Sequence, residues 1–155
     1  MKNSNPIISI IKEINMKKYQ EAGTLLLRIA MAATFLSAVA SRLSLLGKAS
    51  SGWDGFLVYT SQVLAFAPKQ LIPLLAVSST VLEITFSLSL LTGWKTRQAA
   101  MGAAVLLLSF ALSMANADGI KSPLDYSVFV DTAACFLLAS FPCYRWSIDA
   151  RLAKQ

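Results

Sequence analysis

Four ionisable side chains sit in stretches that are otherwise almost wholly apolar: Arg28, Arg42, Glu83 and Asp131. Glu83 is the most conspicuous. It lies in the middle of VSSTVLEITFSLSLL, residues 77–91. Ser79, Glu83 and Ser87 recur every four residues, so on a helix they share one face. A charge at membrane depth is costly unless it faces a protein interior or a wet cavity and finds a partner. A carboxylate beside hydroxyls can hold or pass a proton, and an arginine fork suits a carboxylate partner. The chain has no histidine. That removes the commonest metal ligand and the commonest general base, and no metal centre is expected.

The elements that carry these groups read as membrane helices. The 155 residues are 55% hydrophobic and 14% charged, with a mean hydropathy of +0.58. Soluble domains carry nearer about 25% charged residues. Pro6 to Tyr19 spaces Ile7, Ile10, Ile11 and Ile14 helically between lysines, as an amphipathic helix on a membrane surface does. A disordered leader before a start near Met16 is the alternative, and no secretory cleavage pattern follows the stretch. Thr24 to Leu46, Leu71 to Leu91, Gln98 to Asn116 and residues 124–141 are four apolar runs, each near the length of about 20 residues that a crossing needs. Pro73 falls in the first turn of the second run, and Gly93-Trp94-Lys95 ends it. Asp125 is a candidate N-cap for the fourth. Ala99, Gly102 and Ala103 offer a thin surface for close helix approach. The expected fold is all-α, a four-helix transmembrane bundle forming one domain. An interfacial helix precedes it, and a short helix joins spans one and two.

That short helix places Trp53, Phe56 and Tyr59 on one aromatic face. It is either an interfacial belt or a lid over the bundle mouth. Lysine and arginine fix the expected orientation. One side collects Lys2, Lys12, Lys17, Lys18, Arg28, Lys95, Arg97, Arg145, Arg151 and Lys154, the other only Arg42, Lys48, Lys69 and Lys121. The first side is expected to be cytoplasmic, with both termini there. Such an excess is a topology signal, and no nucleic acid is implied. Cys135 and Cys143 form no CxxC pair. On one helix they would stand roughly 12 Å apart, too far for a bridge.

Depths follow from the helical rise. From the outer end of each span, Arg42 lies at roughly 6 Å, Asp131 at roughly 10 Å, Glu83 at roughly 18 Å and Arg28 at roughly 27 Å. This predicts two layers: Arg42 with Asp131, and Arg28 with Glu83, joined by Ser79, Ser87, Ser113 and Asn116. Two roles compete for the layers. They fix helix register, or they form a proton, substrate or quinone site. In the second role Glu83 and Arg28 are the reactive pair, and Arg42, Asp131, Ser79, Ser87, Trp53 and Tyr59 line the binding site.

The order LLLRIAMAATFLSAVASRL, WDGFLVYT, PKQLIPLLA with VLE after it, LLTGWKTRQAA and GIKSPLDYSVF resembles the DoxX family of small four-helix bacterial membrane proteins. Arg28, Glu83, Gly93 and Arg97 match positions of the family pattern. The glycine-rich run that follows the second-helix acid in many members is here Ile84-Thr85-Phe86-Ser87. The resemblance implies a bacterial inner-membrane protein, named for a subunit linked to thiosulfate:quinone oxidoreduction. It points to a membrane subunit of an oxidoreductase system, with partner redox proteins and a quinone or small reductant as ligand. A non-enzymatic scaffold or assembly factor, binding a partner through its outer loops, is the other reading. A transporter is disfavoured by the few spans. The unit is small enough to form a homodimer, and no motif sets the number of copies.

Overall fold

The computed structural model describes residues 6–153, with side chains from residue 15 onward. Among the described residues it is all-α. Helix α1 is Pro6–Arg42, α2 Gly52–Val63, α3 Ile72–Thr92, α4 Thr96–Asp118, α5 Lys121–Asp125, α6 Val128–Ser140 and α7 Ile148–Leu152. Short 3₁₀ turns, Gly47–Ala49 and Lys69–Leu71, flank α2. The bundle is built from α1, α3, α4 and α6, with α2 packed against α1, α3 and α4.

Three helices are long and apolar enough to cross a membrane: Asn15–Arg42, Lys69–Thr92 and Thr96–Asp118. Their mean hydropathies are 1.7, 1.8 and 1.7. The distribution of side chains agrees. Arg28, Thr80, Glu83, Ser87 and Thr96 are buried, whereas Leu26, Val81, Val105, Leu112 and Phe136 face outward. An apolar exterior around a polar interior suits hydrocarbon as solvent, because an exposed polar group there has no water to bond. The chain is an integral membrane protein.

Several boundaries differ from expectation. The surface helix and the first span are one continuous helix of 37 residues. The side chains of Ile7, Ile10, Ile11 and Ile14 lie outside the described residues. α1 stops at Arg42 rather than Leu46, in a reversed turn where Ser44 takes φ 59° and Leu45 N–H reaches the Ala40 carbonyl. The fourth helix is also shorter than residues 124–141. Asp125 does not cap it; it closes α5 and pairs with Lys121. Ser127, at φ 57°, breaks the chain before α6 begins. The 13 residues of α6 rise only about 20 Å, less than a hydrocarbon core of about 30 Å.

The short α6 is held against α4 by small residues. α4 buries Ala99, Ala100, Ala103 and Ala104 in the core, where they meet Cys135, Leu138 and Ala139 of α6. Their thin side chains let two backbones approach closely, the way helices associate where lipid supplies no hydrophobic drive. Gly102 plays the same part toward α3: a Cβ there would lie 2.6 Å from the Phe86 ring. Cys135 is buried and Cys143 exposed, and both are free thiols.

Candidate functional site

The four embedded charges pair differently from the expected layers. Glu83 sits on the inward face of α3, its side chain 1% exposed. Its Oε1 accepts from Arg42 Nη1 at 2.9 Å. The same Nη1 donates to Thr80 Oγ1 at 3.2 Å, and the Thr80 hydroxyl donates in turn to the Ala76 carbonyl at 2.9 Å. The Arg42 guanidinium lies over Phe56, its Cζ 3.9 Å from the ring centroid. α1 therefore supplies the cation, α3 the carboxylate and hydroxyl, and α2 the aromatic cover. Glu83 Oε2 is buried and has no hydrogen-bond partner among the described residues.

Arg28 is not the partner of Glu83. It is 1% exposed and spends its fork on carbonyls. Nε donates to Leu90 O at 2.9 Å and Nη2 to Leu91 O at 3.2 Å, while Nη1 reaches Arg145 O and Trp146 O at 3.5 and 3.3 Å. A cation at the last turn of α3 satisfies carbonyls that no helical N–H can reach and meets the negative end of the helix dipole. Asp131 is not the partner of Arg42 either. It stands half-buried in the first turn of α6, where an acid suits the positive helix end, and makes no ion pair among the described residues. Rise measures distance from each helix's own end. It does not measure how far one helix is offset from the next.

Ser79 and Ser87 flank Glu83 but turn back on their own helix. Ser79 Oγ donates to Ala76 O at 3.0 Å and Ser87 Oγ to Glu83 O at 2.6 Å. Such bonds are the usual refuge of a mid-helix hydroxyl. Of the aromatic face, Phe56 covers Arg42, and the half-buried Trp53 stands 5.7 Å from it, tilted by 57°. Tyr59 is 40% exposed. Partial burial, with Asp118 and Tyr126 nearby, pushes the Tyr59 phenol above its ordinary pKa. These neighbours bring α2 and the α4–α6 connection to one end of the bundle.

The opposite end joins Gly93, expected as the terminator of this span, to tail residues that sequence patterns did not single out. Gly93 ends α3 in the left-handed region at φ 71°, and a Cβ on it would strike Arg28 and Ser147. The Asp149 carboxylate accepts from Lys95 N at 2.7 Å and Thr96 N at 2.8 Å, capping α4 from a distant part of the chain. Tyr144 donates to Leu138 O at 2.8 Å, and Arg145 pairs with Glu21 at 2.6 Å. The C-terminal tail thus clasps α1, α3 and α4 at once. Thr80 was legible, since it lies three residues before Glu83 on a helix. Asp149 had no local signal, because its partners are more than fifty residues away.

These features define an all-α integral membrane bundle with a buried carboxylate–guanidinium pair under an aromatic helix. The DoxX family model matches residues 23–116, and the chain belongs to the DoxX family. That range contains α2, α3, most of α4 and α1 from residue 23 onward, and so includes both Arg42 and Glu83. No curated protein and no solved structure matches the chain. No group of His, Cys, Asp or Glu among the described residues could hold a metal ion.

Proposed function

We propose that the protein is a membrane subunit of a quinone-linked oxidoreductase system, with Glu83 as its proton-handling group. One observation carries this reading: Glu83 Oε2 is buried without a partner among the described residues while Oε1 is held by Arg42. A buried carboxylate oxygen with no donor either carries a proton or awaits a ligand atom. The residues fit a quinone in kind. Oε2 offers a proton to a carbonyl or accepts one from a hydroxyl, and Phe56 and Trp53 offer ring surfaces. A quinone, when bound, supplies two-electron redox chemistry. The chain orients Glu83 through Arg42 and Thr80 and keeps water away. Arg28 belongs to the fold rather than to the reaction. The membrane is the bacterial inner membrane, with the clasped, basic end cytoplasmic by its excess of Lys and Arg.

The test is gentle purification followed by solvent extraction and quinone analysis, with Glu83→Gln beside the natural protein. Co-purified quinone that is lost in the variant, with the fold unchanged, is the expected result. A natural protein that carries no quinone and shows no affinity for added quinone sinks the reading. A scaffold role is the second reading. It is favoured by Arg28, Ser79 and Ser87, which all spend their polar groups on backbone carbonyls and so on helix packing. Loss of assembly in Glu83→Gln, with no quinone in either protein, supports it.

A further inference from the structure

A second feature lies on the lipid-facing side of the bundle, away from the Arg42–Glu83 pair. Between α3 and α4 runs an open groove of about 770 Å³, within the range of ligand pockets, about 300–1,000 Å³. Leu82 and Phe86 form one wall, and Met101 and Val105 the other. Gly102 has no side chain, so the Phe86 ring packs against its backbone within the groove lining. Ser109 lies toward one end, and Arg97 with Gln98 toward the other. The polar end is also the end of Trp94 and Lys95, an exposed indole with an ammonium 5.2 Å from its ring. Aromatic and basic residues of this kind mark the headgroup level of a bilayer.

The geometry points to a bound anionic phospholipid, with one acyl chain in this groove and its phosphate at Arg97. Three observations converge. The groove is apolar along its length and cationic at one end only. Arg97 is exposed and makes no ion pair among the described residues, unlike Arg42 and Arg145. The rise from Arg97 to Ser109 is roughly 18 Å, close to one leaflet of a hydrocarbon core about 30 Å thick. A guanidinium at the headgroup level binds a phosphate in a forked geometry, and Gln98 adds a neutral donor. A chain running from that headgroup toward mid-membrane lies along the groove as far as Ser109.

Nanodiscs holding equal amounts of phosphatidylglycerol and phosphatidylcholine with matched chains provide the test, read by native mass spectrometry of the released protein. The natural protein is expected to retain phosphatidylglycerol over phosphatidylcholine by about fivefold, the share of one cation near an anionic lipid surface. Arg97→Gln is expected to bring the ratio to about parity. Val105→Trp is expected to remove both lipids by filling the groove; Val105 is 64% exposed, so the fold has no need of it. Equal retention of the two lipids overturns the assignment, as does an unchanged preference in Arg97→Gln. So does a dimer that buries Val105, or a quinone held in place of phospholipid.

Discussion

Arg42 and Glu83 are joined by one short bond between a guanidinium 11% exposed and a carboxylate 1% exposed. Such a pair contributes little net stability, because attraction and desolvation nearly cancel. Removing one partner costs far more, since the other charge is left buried alone. Arg42→Met and Glu83→Leu are therefore each expected to lower stability in detergent by about 3–5 kcal/mol. The double variant is expected to recover most of that loss. Thermal unfolding of the four proteins checks this. Additive losses in the double variant would show that the two side chains act independently. Arg28 makes a useful contrast. It has the same chemistry and is still more deeply buried, yet its partners are carbonyls, so it caps a helix.

The tail from Tyr144 to α7 works as a clasp because its polar groups meet backbone groups left over at helix ends. Asp149 takes two N–H groups at the start of α4, and Arg28 takes two carbonyls at the end of α3. Gly93 allows this crowding by having no Cβ and by accepting a positive φ. Tyr144 anchors the same tail. Burial pushes its phenol above the ordinary pKa; Arg97 and Arg28 pull it down, and Asp149 and Cys143 push it up. The folded value is thus raised. The stability it contributes is fully present below the unfolded value of about 10 and is lost as pH rises through the folded one. Tyr144→Phe is expected to lose about 1 kcal/mol at neutral pH with the hydrogen bond to Leu138. It should also destabilise less on moving to strongly alkaline buffer. Thermal unfolding at neutral and alkaline pH measures both, and an identical alkaline loss in the two proteins would exclude Tyr144 as its cause.

The whole bundle is an inverted object, apolar outside and partly polar within, so its orientation must be set by charges beyond the core. The clasped end carries Lys95, Arg97, Arg145 and Arg151, and the other end carries α2 with its aromatic residues. Cys143 lies exposed just past α6, at the clasped end, while Cys135 is buried. An impermeant thiol reagent is therefore expected to label Cys143 in inverted membrane vesicles and not in intact cells. Labelling of intact cells would reverse the orientation. Cys135 is expected to stay unlabelled until the bundle unfolds.

The class of fold could be read from hydropathy and terminators, since both are properties of short segments. The three long spans, Pro73 near the start of α3 and Gly93 at its end stand where local chemistry demands. The embedded acid on α3 and the aromatic face of α2 were equally visible, because side-chain spacing determines which residues share a face. Pairing was not visible. Arg42 meets Glu83, and Arg28 meets the end of α3, through the offset and tilt between helices, and no single helix contains that information. The break at Ser127 and the clasp by Asp149 arise in the same way. Each depends on groups distant in sequence that become neighbours only when the helices pack, and packing selects among partners that look equivalent along the chain.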